Sequence, residues 1–222
     1  MATWAGFVAL GWALVYWPHM PQGFAFSSAL EPTDHVGFVD ALYISLVILA
    51  TLGLGDIAPA EAWLRVVAPI EALVGFALLT ATVSWILGIY PALARRRTLA
   101  LRIAHIRRID TAPYQHDCAV RGSVLDDLAA DIARICVDFL QYAESYYFHD
   151  GRDDSSLALQ ARYAWELAER AQADPHSDIR VPAAVLTAAL EDLAGILDQR
   201  FLHTNSTAQQ IFRAYARDHG RA

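Results

Sequence analysis

Apolar positions are bunched rather than spread along this chain. Residues 2–17 carry no charge and end in Tyr16-Trp17-Pro18, an aromatic pair suited to a bilayer surface followed by a helix stop. They predict a first membrane helix. At ~1.5 Å per residue it covers about 25 Å of a hydrocarbon core about 30 Å thick, which leaves room for residues ahead of Met1. A cleaved signal peptide competes with this reading, against the absence of a basic flank. Residues 66–89 form a longer apolar run, interrupted by Glu71 and followed by Tyr90-Pro91 and Arg95-Arg96-Arg97; this run is expected to span and to stop at the proline. Between them, residues 38–50 are too short to cross a bilayer and too apolar for a free loop. A re-entrant segment resolves the conflict, because irregular backbone at membrane depth needs protein or a watery cavity around it.

The pattern changes beyond the arginines. Residues 95–108 place Leu99, Ile103 and Ile106 at helical spacing among basic residues, a basic amphipathic helix. Its two readings are a topology anchor and a site for anionic lipid at Arg95, Arg96 and Arg97. Across 124–147, Leu125, Leu128, Ile132, Ile135, Phe139, Tyr142 and Tyr146 alternate steps of three and four, predicting one helix with an apolar seam. Val124, Cys136, Leu140 and Ala143 widen the stripe towards a packed bundle. Residues 156–173, 182–203 and 207–219 read as three more helices, with Pro182 in a first turn and Gly220 after the last. No β alternation lasts more than a few residues and no Gly-rich phosphate loop is present, which argues against an α/β nucleotide-binding domain.

Charge sets the orientation. The chain has a formal net charge of −7 and 17 basic residues, all arginine. Residues 18–63 hold five acids and no arginine, whereas 95–108 hold six arginines and no acid, so the positive-inside rule puts the tail in the cytoplasm. Acids outnumber arginines after Asp110, which argues against a nucleic-acid partner. Cys118 and Cys136 fit neither a disulfide framework nor a metal knuckle and read as buried small apolar residues. The acidic cluster at 150–154 lacks calcium-loop spacing and reads as a solvated loop. Asn205-Ser206-Thr207 matches a glycosylation acceptor on the wrong side of the membrane. His149, His176 and His203 show no ligand pattern. No nucleophile with a base at motif spacing appears, so neither an enzyme nor a cofactor is expected.

Directly after the short apolar segment stands Thr51-Leu52-Gly53-Leu54-Gly55-Asp56. With its flanking helices it resembles the filter of the two-transmembrane-helix, pore-loop potassium channels of bacteria, which read T-x-G-x-G-D. Such a filter needs backbone: rings of carbonyls replace the ion's water, and glycine lets successive carbonyls turn to one axis. The resemblance implies K+ sites at the carbonyls of Thr51, Leu52, Gly53 and Leu54 and the Thr51 hydroxyl, with Gly55 completing the filter. It also implies a Tyr43–Asp56 hydrogen bond as filter support. Three positions depart from the commonest pattern. Leu54 replaces an aromatic residue whose ring bond holds the filter width, although Gly-Leu-Gly occurs in some two-pore-domain channels; Ala50 replaces a threonine; Tyr43 stands at the pore-helix aromatic position.

Gly75 falls where the family carries an inner-helix hinge, with close helix packing as the alternative role. Phe76, Leu79, Val83 and Leu87 would then line an apolar cavity. Glu71, one turn before Gly75, is expected to support the pore helix at Ser45 rather than touch the ion. The resulting expectation is an all-α membrane protein with two transmembrane helices, a re-entrant pore helix and filter, and a helical cytoplasmic bundle. Its divisions fall at 1–92 (pore domain), 93–112 (basic linker) and 113–222 (cytoplasmic domain). It would be multi-pass in the cell membrane, a homotetramer in the lipid bilayer. A weakly selective cation channel and a membrane-anchored sensor or scaffold are the alternatives. No inverted repeat points to a transporter.

Overall fold

The computed structural model describes residues 2–111 and 121–221. Cys118 and the expected 112/113 division lie outside them. The chain divides into two compact units, Met1–Leu87 and Gly88–Ala222.

The first unit is built on three helices. Helix α1 (Ala2–Tyr16) packs against α2 (Phe38–Leu49), and α3 (Leu64–Asp110) contributes its first half. Ala13, Tyr16, Phe24, Ala41, Ile44 and Leu64 meet in the unit's core. Of the described helices, α3 alone is long and apolar enough to cross a membrane; α1, at 15 residues, falls short of that length. A two-stranded antiparallel sheet, absent from the all-α expectation, joins β1 (Phe24–Phe26) to β2 (Ile57–Pro59) with Phe24 opposite Pro59 and Phe26 opposite Ile57. Strands of three residues are too short to show an alternating pattern in sequence.

Pro91 does not end α3. A proline inside a helix removes one backbone donor and crowds the preceding turn, yet the helix continues to Asp110. Ala92, Leu93, Leu99, Ala100 and Ile103 are buried along that continuation, and burial of this kind, about 1.5–3 kcal/mol per large apolar side chain, outweighs one lost hydrogen bond.

The second unit is a helical bundle of that segment with α4 (Gly122–Gln141), α5 (Leu157–Gln172), α6 (Ser177–Leu197) and α7 (Ala208–Asp218). The seam of α4 is buried at Leu125, Leu128, Ile132, Ile135 and Phe139. The helix ends at Gln141, and a short 3-10 turn, Ala143–Tyr147, carries Tyr146 into the core. Helix α6 begins at Ser177, earlier than expected, leaving Pro182 inside it. Cys136 is a free, buried thiol, pushed up to about 11 chiefly by burial. Asp150 is no solvated loop residue: it is 9% exposed and accepts from Arg96 and Arg97. Asp198 closes the α6–α7 connection by accepting from Thr204 N at 2.6 Å, Thr204 Oγ1 at 2.7 Å and Asn205 N at 2.9 Å. These bonds, the hydroxyl first, hold its carboxyl below the usual carboxylate range.

Candidate functional site

Helix α2 starts where the backbone N–H of Gly37 donates to Asp40 Oδ2 at 3.1 Å, satisfying one of the free donors of a first turn. It ends in a Schellman motif: Leu52 N donates to Val47 O and Thr51 N to Ile48 O, both at 2.9 Å. That motif requires a left-handed residue, and Thr51 supplies it at φ 55°. Glycine occupies such positions without strain, whereas a β-branched residue there is strained. Gly53 and Gly55 follow at φ 57° and 77°. Positive φ thus recurs at every second residue from 51 to 55, and Leu52 and Leu54 between them are 62% and 60% exposed. The last carbonyls of α2 give its C-terminal end, at Ala50, a partial negative charge.

The end of this segment is fastened twice. Tyr43 Oη donates to Asp56 Oδ2 at 2.5 Å, and the backbone N–H of Ser27 donates to the Asp56 carbonyl at 2.8 Å, one step from the β1–β2 pair. The second carboxylate oxygen, Oδ1, is buried without a partner among the described residues.

Behind α2 lies a buried polar node. Glu71 is fully buried; Tyr16 Oη donates to its Oε2 at 2.5 Å and Ser45 Oγ lies 2.5 Å from Oε1. Ser45 Oγ also reaches the Ala9 carbonyl at 2.9 Å, so one hydroxyl proton is shared between two acceptors. The node joins α1, α2 and α3 through side chains that each need a polar partner in an apolar setting. Sequence reasoning paired Glu71 with Ser45 but missed Tyr16, which it placed at a bilayer surface. The signal was available: a carboxylate in an apolar helix needs more than one donor, and Tyr16 carries one in the other apolar run.

Gly75 sits against the end of α2. A Cβ there would lie 1.8 Å from the Leu49 carbonyl oxygen, so any side chain would force the two helices apart. From that point Phe76, Leu79, Val83 and Leu87 follow at steps of three and four, all exposed. In the second unit the three arginines read as a lipid site are engaged by the protein. Arg95 makes two hydrogen bonds to Asp138, at 2.9 and 2.6 Å; Arg96, 3% exposed, donates to Ser145 O, Phe148 O and Asp150; Arg97 donates to Asp150 at 2.8 Å. Asp138 and Asp150 therefore offset part of the charge of the three arginines, of which Arg95 and Arg97 remain half-exposed.

Residues 6–90 match a family described as ion channel. The match covers the short apolar helices, the glycine-bearing segment and the first part of α3, and makes this part of the chain similar to that ion-channel family. The similarity, together with one helix long and apolar enough to cross a membrane, is that of an ion-transporting membrane protein. No curated protein and no solved structure matches the chain.

Proposed function

We propose that the chain is one subunit of a potassium-selective channel in which α1 and α3 cross the membrane, α2 is a re-entrant pore helix, and four copies surround the conduction axis. The observation that carries the reading is the backbone of 51–55: a strained threonine followed by glycines, with positive φ at alternate residues and both ends fastened. Strain of this sort points to function when a cheaper residue was open to the position. The carbonyls of Thr51, Leu52, Gly53 and Leu54, with the exposed Thr51 hydroxyl, take the place of the ion's water, and the α2 C-terminus favours a cation below them. Tyr43, Asp56, Ser45 and Glu71 support the filter from behind. Phe76, Leu79, Val83 and Leu87 face the inner cavity. Gly75 serves as the contact that lets α3 approach the pore helix, and its hinge role rests on the resemblance alone. The second unit is cytoplasmic.

Leu54 favours a second reading, a weakly selective cation pore, because its side chain is exposed and offers no ring hydroxyl to fix the filter width. Potassium and sodium flux into liposomes separates the two. Potassium flux well above sodium flux, abolished by Gly53→Ala because alanine resists φ 57°, is the expected result. Equal fluxes with the same loss in the variant establish the weakly selective pore.

A further inference from the structure

The second unit carries a trough of about 710 Å³ between α5, α7 and the end of α3, within the range of small-molecule sites, about 300–1,000 Å³. We propose that it binds a small anion carrying more than one phosphate group. Arg107, Arg162, Arg213, Arg217 and Arg221 line it, over a floor that includes Leu159 and Phe212. The opposing acid is Glu166, which pairs with Arg162 at 3.2 Å. Arg221 is engaged by Asp153 and the Asp150 carbonyl. Arg107, Arg213 and Arg217 form no ion pair with any described residue.

Arg108, Arg121, Arg180 and Arg200 likewise form no ion pair with a described residue, but the trough gathers three such arginines with two further guanidinium groups around one cavity. Arg95, Arg96, Arg97, Arg102, Arg134 and Arg170 each pair with an aspartate, in a chain where acids outnumber bases, 24 to 17. Arg213 and Arg217 stand four apart on α7, a like-charge spacing that is unfavourable when nothing offsets it. Guanidinium groups present forks of N–H donors that match phosphate oxygens two at a time. Three helices contribute them, so several phosphates or one phosphate with further anionic oxygens fits the trough better than a single small ion. The inference stands whether or not the first unit conducts ions.

The test is calorimetric titration of the full chain, in nanodiscs of phosphatidylcholine, with sodium tripolyphosphate. Saturable binding is expected, weakened at least about tenfold by Arg213→Gln with Arg217→Gln and changed less than about twofold by Arg180→Gln, which alters the same kind of charge on α6 outside the trough. No saturable binding, or equal weakening by Arg180→Gln, overturns the proposal. The double variant relieves a repulsion and should melt no lower than the native chain. If it does melt lower, Arg107→Gln on a different helix must weaken binding in its place, and its failure to do so overturns the proposal equally. Repeating the titration in discs containing cardiolipin, whose headgroup carries two phosphates, separates the sources: competition identifies a lipid headgroup as the anion, and undiminished affinity identifies a free phosphate compound.

Discussion

Glu71 shows how one side chain can organise a helix junction. A carboxyl group at 0% exposure needs donors, and Tyr16 and Ser45 bring them from two other helices. Removing the acceptor strands the Tyr16 hydroxyl, at about 1–3 kcal/mol for a buried group left unsatisfied, while Ser45 keeps the Ala9 carbonyl. Glu71→Ala is therefore expected to lower the melting temperature of the solubilised chain markedly, Tyr16→Phe less so, and Glu71→Gln least, since its amide oxygen still accepts. An equal melting temperature for Glu71→Ala and the native protein would mean the node carries no stability. His219 makes the complementary case in the second unit. It is buried against Tyr146, Tyr215 and His149, with Nε2 bonded to the Tyr146 carbonyl at 2.8 Å and Nδ1 unpartnered among the described residues. Burial depresses its basicity. The unfolded chain then binds the proton more readily than the folded one, so stability present above about pH 6.5 is lost as pH falls below it. The melting temperature should drop between pH 7.5 and 5.5, and His219→Phe should flatten that drop; an unchanged slope in the variant would assign the effect to other groups.

At the scale of elements, what was legible in the sequence divides along a physical line. Helix α2 and the segment after it were readable because their chemistry constrains residue type: backbone conformations with positive φ call for glycine, and an apolar run of that length has few places to go. The α4 seam was readable because burial leaves a period. The end of α4, the start of α6 and the passage of α3 through Pro91 were misread for a shared reason. Local signals such as a proline or an aromatic run set a preference of a few kcal/mol at most, and the buried faces on either side overrode it. The β1–β2 pair left no trace because two backbone segments find each other there without a side-chain pattern. The same limit hid the engagement of Arg95, Arg96 and Arg97, whose partners Asp138 and Asp150 lie more than forty residues away in sequence.

On the scale of the whole molecule, the exposed apolar surface of the first unit is what a single chain would leave for others to cover. Trp4, Phe7, Val66, Leu73, Phe76 and Leu87 are each more than 60% exposed, far more apolar surface than an isolated soluble unit carries. Lipid and neighbouring copies are the two kinds of cover, and the filter reading requires copies. Native mass spectrometry from a mild detergent should give a species of four chains of 24.5 kDa each; a monomer or dimer as the largest species would rule out the fourfold pore. The segment from Thr51 to Asp56 behaves like a footbridge held at its abutments, by the end of α2 on one side and by Tyr43 and Ser27 on the other. If this segment is the filter proposed above, then with Leu54 unable to act as a strut at mid-span the gauge an ion meets is set by how firmly those abutments stand. On that proposal, discrimination between ions of different radius becomes a matter of foundations rather than of the roadway.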